Sequence, residues 1–123
     1  MENMTTEQLE ALETLAEFNA RLIKNLPTII SELSGNRQTD TDQYLKNIID
    51  AINWEISVTN STLAILNNEH TRIDKETFNQ KMLTLNSAIS TKADSEIAAA
   101  LENLIPYFKQ LGAAVKEVTS SPR

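Results

Sequence analysis

The sequence predicts an all-α protein, an antiparallel up-down four-helix bundle. Its 123 residues include only two glycines and three prolines, and aromatic residues make up 5% of the chain. This composition favours helices over strands and turns. Apolar residues also recur at steps of three and four along most of the chain, which is the period of an amphipathic helix. At this length we expect one domain, residues 1–123.

The first helix is expected over residues 6–34. One polar residue, Asn19, stands in a stripe that otherwise consists of Leu9, Leu12, Ala16, Ile23, Leu26, Ile30 and Leu33. Pro27 has no N–H to donate and crowds the preceding turn, so the helix should bend or restart there. Gly35 follows the last apolar residue and can end the helix in a left-handed conformation.

The second helix, expected over residues 41–70, has the most regular pattern. Its predicted inner row is Leu45, Ile49, Ile52, Ile56, Leu63, Leu66 and Ile73. A second row lies beside the first and consists of Tyr44, Ile48, Ala51, Val58 and Ile65. The two rows together are wider than the roughly 100° that packing on one neighbour requires. We therefore expect this helix to be the central one of the bundle.

Two further helices are expected over residues 75–91 and 94–118, followed by a disordered tail, residues 119–123. Apolar residues become sparse between them, although spacings of four would also allow a single helix. The alternative fold is thus three long helices, the last one kinked at Pro106. Such a helix would be about 65 Å long against about 45 Å for the others, leaving apolar surface unpaired. Four helices are therefore favoured.

The charge pattern disfavours several classes of partner. The net charge is −6 and the pI is about 4.7, which predicts neither nucleic-acid nor membrane binding. Glutamates 7, 10, 13 and 17 all precede the first basic residue, Arg21. They form either a docking face for a basic partner or a solvated helix start favoured by the helix dipole. Without a signal segment or a long apolar run, we expect a cytoplasmic, bacterial protein.

No arrangement of residues indicates catalysis. Cysteine is absent, His70 is the single histidine, and the two glycines lie far apart. Nucleophile–histidine sites, carboxylate–histidine metal sites and phosphate loops are therefore disfavoured. The predicted apolar rows also contain no Asp or Glu that a dry pocket could activate. The sequence predicts a protein that is not an enzyme and has no cofactor and no metal.

Trp54 is the strongest candidate for contact with a partner. It lies at the border of the apolar arc, where a tryptophan can bury a large area while its N–H stays in water. The alternative is that the fourth helix covers it. If it is free, the predicted binding surface is Tyr44, Ile48, Trp54 and Val58. A second possible site is a groove opened by helix kinks, with Pro27, Pro106 and Tyr107 beside it.

These observations favour a protein-binding bundle of the adaptor, chaperone, inhibitor or immunity-factor kind. The partner would be another protein or a second copy of the chain, since the same wide arcs could close a dimer. The alternatives are a self-associating structural protein, or a binder of a small apolar ligand held where the prolines separate the helices.

Overall fold

The computed structural model describes residues 5–120, and the regular structure in that range is entirely helical. The elements, in chain order, are α1 (Thr6–Leu33), α2 (Thr41–Ser61), the single turn α3 (Leu63–Leu66), α4 (Lys75–Thr91) and α5 (Asp94–Ser120). The four long helices pack antiparallel, which confirms the predicted bundle. No helix in the described range is long and apolar enough to cross a membrane.

The centre of the bundle is the α1–α5 pair, and not the second helix as predicted. These two helices make the most extensive contact, while α2 packs on α1 and α4 packs on α5. The reason lies in the buried faces. Eleven residues of α5 are buried and all are apolar or aromatic, whereas α2 buries five, of which Thr41, Glu55 and Thr59 are polar. The wide apolar arc of α2 is therefore a half-buried flank rather than the core.

The second helix is shorter than the predicted 41–70. The helix is interrupted at Thr62, whose hydroxyl donates to the carbonyl of Val58 at 2.8 Å. After α3, the side chain of Asn67 closes the chain into a loop. Its Oδ1 accepts from the backbone N–H groups of Arg72 and Ile73, both at 2.9 Å, and its Nδ2 donates to the Ile73 carbonyl at 3.1 Å.

The break between the last two helices lies where the sequence places it. Lys92 ends α4 in a left-handed conformation, with φ 57°, and α5 begins at Asp94. The predicted tail is partly helical, since Thr119 and Ser120 belong to α5. The remaining tail residues, 121–123, lie outside the described range.

Both internal prolines are accommodated within continuous helices. α1 runs through Pro27 and α5 runs through Pro106, and both rings lie at the exposed surface. A side chain from a neighbouring helix donates to a carbonyl near each proline. Tyr44 Oη lies 3.3 Å from the Asn25 carbonyl, and Lys81 Nζ lies 3.2 Å from the Asn103 carbonyl. The predicted restart of the first helix at Pro27 is therefore wrong.

Candidate protein-binding surface

An aromatic pair stands on the outer surface where α1 meets α2. Phe18 and Trp54 are 44% and 40% exposed, and their ring centroids are 5.1 Å apart with the planes inclined at 56°. Tilted pairs at this distance are favourable for aromatic rings. Each helix contributes one ring, so the pair exists only while α1 and α2 are packed together.

The rotation of α2 about its axis explains why Trp54 faces outward. The predicted inner row is only half-buried at Leu45, Ile49, Ile56 and Leu63, whereas the buried row is Ile48, Ile52, Glu55, Thr59 and Thr62. Trp54 lies about 120° around the helix from Ile48, so this rotation directs it away from the core. The fourth long helix does not cover it, because the ring against Trp54 is Phe18 of α1.

Phe18 was not among the predicted binding residues. It lies outside the apolar stripe of the first helix, and its neighbours in sequence are Glu17 and Asn19. A large aromatic residue outside every apolar row of a helix is the sequence signal that could have identified it. Its position relative to α2 could not be predicted from the sequence, because the helical wheel of one helix does not show how that helix is aligned against its neighbour.

The predicted binding residues divide into exposed and buried positions. Trp54 is exposed, Tyr44 and Val58 are half-buried, and Ile48 lies in the core. The hydroxyl of Tyr44 donates to the Asn25 carbonyl, and burial, followed by the nearby Glu32, raises its pKa. Tyr44 and Val58 can therefore flank a surface centred on Trp54. Ile48 cannot be reached without opening the bundle.

The three residues predicted to line a groove at the prolines do not share a groove in the structure. Pro27 and Pro106 are exposed on continuous helices. Tyr107 is buried, with its ring stacked on that of Phe78 at a centroid distance of 4.0 Å. A separate open groove of about 460 Å³ runs between α1 and α5, and its apolar lining includes Ala16, Ala20, Ile23 and Val115.

Charged side chains surround the aromatic pair. The Arg21 guanidinium carbon lies 5.5 Å from the centroid of the Phe18 ring, and Arg21 Nη2 is 2.9 Å from a carboxylate oxygen of Glu17. Glu7 and Glu10 precede Phe18 by eleven and eight residues. At 100° per residue this spacing places both glutamates on the same side of α1 as Phe18. The surface is therefore aromatic at its centre and acidic along the start of α1.

The residue after Trp54 is a buried acidic residue, Glu55, which was not identified from the sequence. Glu55 is 1% exposed, and neither of its carboxylate oxygens has a hydrogen-bond partner within residues 5–120. Burial raises the pKa of Glu55 to about 8. The expectation that the apolar rows contain no acid is thus wrong, because the row that is actually buried includes Glu55.

Comparison with known proteins identifies a family whose function is unknown. A family model described as a domain of unknown function, DUF8042, matches residues 10–114. No curated protein matches the chain, and no solved structure matches it. The matched segment includes Phe18, Trp54 and Glu55, so both the aromatic surface and the buried carboxyl lie inside the family domain.

Proposed function

The chain belongs to the DUF8042 family of unknown function, and we propose that it is a non-catalytic helical bundle that binds another protein through the Phe18–Trp54 surface. The partner segment in this proposal is amphipathic, with an apolar site for the two rings and basic residues beside it. Adaptor, chaperone, inhibitor and immunity factor are all roles of this kind. The cytoplasmic location expected from the sequence is part of the same proposal.

The observation that carries the proposal is the pairing of exposed aromatic side chains. Three large hydrophobic residues in the described range are exposed, and two of them, Phe18 and Trp54, are in contact. Isolated exposed apolar residues are common on protein surfaces, whereas adjacent ones are typical of interaction sites. Tryptophan is also among the residues that contribute most to binding energy at interfaces.

The charge of the surface favours a basic partner. Four glutamates occupy α1 before its first basic residue, Arg21, and the whole chain carries a net charge of −6. Complementary charge around an apolar centre mainly accelerates association and excludes wrong partners, while the aromatic contacts determine the lifetime of the complex. A second copy of this chain would instead bring two acidic surfaces together, which disfavours a dimer through this face.

The proposal does not include catalysis, a metal or a cofactor. His70, the only histidine, is exposed and lies 3.9 Å from Glu117. No group of three potential metal-ligating side chains occurs within residues 5–120. Glu55, although buried and with a raised pKa, does not line the groove between α1 and α5. These features support a binding protein over an enzyme.

The test is affinity capture from the source organism with three single variants. Trp54→Ala and Phe18→Ala each remove one ring of the pair, and Leu83→Ala is the matched control because Leu83 is an exposed hydrophobic residue on α4. We expect a near-stoichiometric protein with wild type and Leu83→Ala that is lost with both ring variants. The captured protein would then be titrated against purified chain, using the fluorescence of Trp54, the only tryptophan.

Two results would overturn the proposal. The captured protein could be retained by both ring variants, or it could be lost with Leu83→Ala as well, which would place the binding surface elsewhere. If only the chain itself were recovered, sedimentation at several concentrations would measure self-association. A mass that depends on concentration in wild type but not in Trp54→Ala would favour the structural alternative instead.

A further inference from the structure

α2 is one of the two outer long helices of the bundle, the other being α4. No Cα atom of α2 lies within 8 Å of a Cα atom in α4 or α5, so α1 is the only long helix that it approaches closely. Three of the five buried residues of α2 are polar. Replacing apolar side chains by polar ones reduces the free energy gained on burial. Separating α2 from α1 therefore costs less than separating an all-apolar contact of the same size would.

Glu55 makes that contact dependent on the protonation state of its carboxyl group. The Glu55 side chain is 1% exposed, and within residues 5–120 no group donates a hydrogen bond to either of its carboxylate oxygens. A buried carboxylate without a partner is strongly disfavoured, whereas a neutral carboxylic acid is tolerated. The arrangement in which α2 is packed on α1 therefore favours the protonated form of Glu55, in agreement with its pKa of about 8.

The groups that pack around Glu55 provide no positive charge to stabilise its ionised form. On α5 the facing group is Tyr107, whose own hydroxyl is buried without a partner and whose pKa is raised by burial and then by Glu55. On α2 itself, Thr59 Oγ1 is buried without a partner, and α3 contains no titratable side chain. Among the basic residues, Arg21 pairs with Glu17, Lys46 with Asp50, and Lys81 with the Asn103 carbonyl. The remaining lysines of the long helices are exposed to solvent, namely Lys24, Lys75, Lys109 and Lys116.

The two ends of α2 are suited to movement about a hinge. At its C-terminal end the helix is interrupted at Thr62 and followed by a single turn. At its N-terminal end the preceding loop is fixed to the bundle, because the Arg37 guanidinium binds both carboxylate oxygens of Asp94 at 2.6 and 3.0 Å. A helix held at one end and interrupted at the other can separate from α1 without unfolding the α1–α5 pair.

We propose that Glu55 is a proton-controlled latch: its neutral form holds α2 on α1, and loss of its proton favours release of α2 and separation of Trp54 from Phe18. Rising pH would then dismantle the aromatic surface. Only this last consequence depends on the proposed function. The release of α2 is a property of the free chain and is measured without a partner.

The test is amide hydrogen exchange followed by mass spectrometry on the full chain between pH 5 and 9, corrected for the intrinsic exchange rate at each pH. In wild type we expect protection of α2 to fall by up to about tenfold per pH unit until pH 8 and then to level off, because opening releases one proton. Protection of α5 should be higher than that of α2 at every pH, because α5 loses its protection only when the whole bundle unfolds. Glu55→Gln should abolish the pH dependence in α2, while Glu102→Gln, at an exposed position on α5, should retain it.

Three outcomes would overturn the latch. Protection of α2 could be independent of pH in wild type, or Glu55→Gln could keep the wild-type dependence. Alternatively, α2 and α5 could show the same protection at every pH, which would show global unfolding instead of release of one helix. If Glu55→Gln did not fold, the comparison of α2 with α5 in wild type would still decide between release and unfolding. None of these outcomes bears on whether Phe18 and Trp54 bind a partner.

Discussion

One asparagine side chain determines where the second half of the chain changes direction. Asn67 makes three hydrogen bonds to the backbone of residues 72 and 73. We expect Asn67→Ala to lower the free energy of unfolding by about 2 kcal/mol, because backbone groups in a partly buried loop lose their partners. The control is Asn60→Ala, seven residues earlier and exposed, which should change stability by less than about 0.5 kcal/mol. Equal losses in the two variants, measured by urea unfolding, would contradict this role.

Glu55 should make global stability depend on pH. Its pKa is about 8 in the folded chain against an ordinary value of 4.5, so the folded state holds the extra proton between these values. The contribution of Glu55 to stability is therefore fully present below the ordinary value, and it falls by up to about 1.4 kcal/mol per pH unit between that value and about pH 8. At pH 9 we expect Glu55→Gln to be more stable than wild type by about 3 kcal/mol, since water penetration reduces the full effect.

Urea unfolding at several pH values checks this prediction. Stability should also fall at acidic pH, but for a different reason. Hydrogen bonds lower the pKa values of Asp74 and Asp94 in the folded chain. The two aspartates stabilise the fold fully above their ordinary pKa values, and this stabilisation is lost as the pH falls through their lowered pKa values in the folded chain. Glu55→Gln should therefore flatten the alkaline side of the profile and leave the acidic side unchanged. A wild-type profile that rises between pH 5 and 8 would contradict the assignment.

The residues predicted correctly are those whose role depends on local chemistry. The predicted start of α4 at residue 75 directly follows Asp74, which accepts hydrogen bonds from the N–H groups of Glu76 and Thr77. Asn19 is the polar residue predicted in the stripe of α1, and it is buried there. Glu55 and Phe18 were missed because their burial depends on the rotation of a helix against its neighbour. A sequence with two adjacent apolar rows on α2 does not show which row the neighbouring helix covers.

At the scale of helices, the close approach of α1 and α5 depends on a glycine opposite Asn19. The Asn19 amide donates to the carbonyl of Phe108 at 2.8 Å, and a Cβ at Gly112 would lie 3.0 Å from its nitrogen. Gly112→Ala gains about 1 kcal/mol of helix propensity but displaces the Asn19 amide from its buried hydrogen bond. We expect these effects to leave the single variant slightly less stable than wild type.

A double-mutant cycle separates the two effects. In an Asn19→Ala background the steric conflict is absent, so Gly112→Ala should now stabilise the bundle by about 1 kcal/mol. Chemical unfolding of the four proteins gives the coupling between the positions. The same effect of Gly112→Ala in both backgrounds would show that the two residues do not constrain each other.

The helix boundaries show which signals act within an element. The break at Lys92 was predictable because the apolar residues become sparse and Asp94 can start a new helix. The end of α2 at Ser61 was not, because the apolar pattern continues through Leu63 and Leu66. After α3, the side-chain hydrogen bonds of Asn67 hold the chain in a loop. Such bonds compete with the helix without altering its hydrophobic period.

At the scale of the whole molecule, the helix content and the antiparallel packing were predictable, but the order of the helices in space was not. Short connections favour antiparallel neighbours, and each apolar stripe requires a partner. Neither rule says which helix occupies the centre. The widest apolar arc belongs to α2, yet α5 takes the central place because its inward face carries only apolar and aromatic residues along its whole length.

The distribution of charge over the whole molecule predicts how a partner would associate. The acidic start of α1 lies beside the aromatic surface, whereas Glu102 is an exposed acid on α5. Replacing Glu10 by Lys should slow association with the captured protein by about threefold at low salt, because attraction between charges steers the encounter. Dissociation should change little, since it depends on the buried contacts of Phe18 and Trp54.

Stopped-flow fluorescence of Trp54 at two salt concentrations measures both rates. The control, Glu102→Lys, changes the net charge equally and should slow association less. Added salt should remove most of the difference between Glu10→Lys and wild type, because surface charges about 10 Å apart are largely screened near 0.1 M. Equal effects of the two variants would indicate that only the net charge matters. The acidic start of α1 would then be a solvated face, and the partner would be chosen by the aromatic contacts alone.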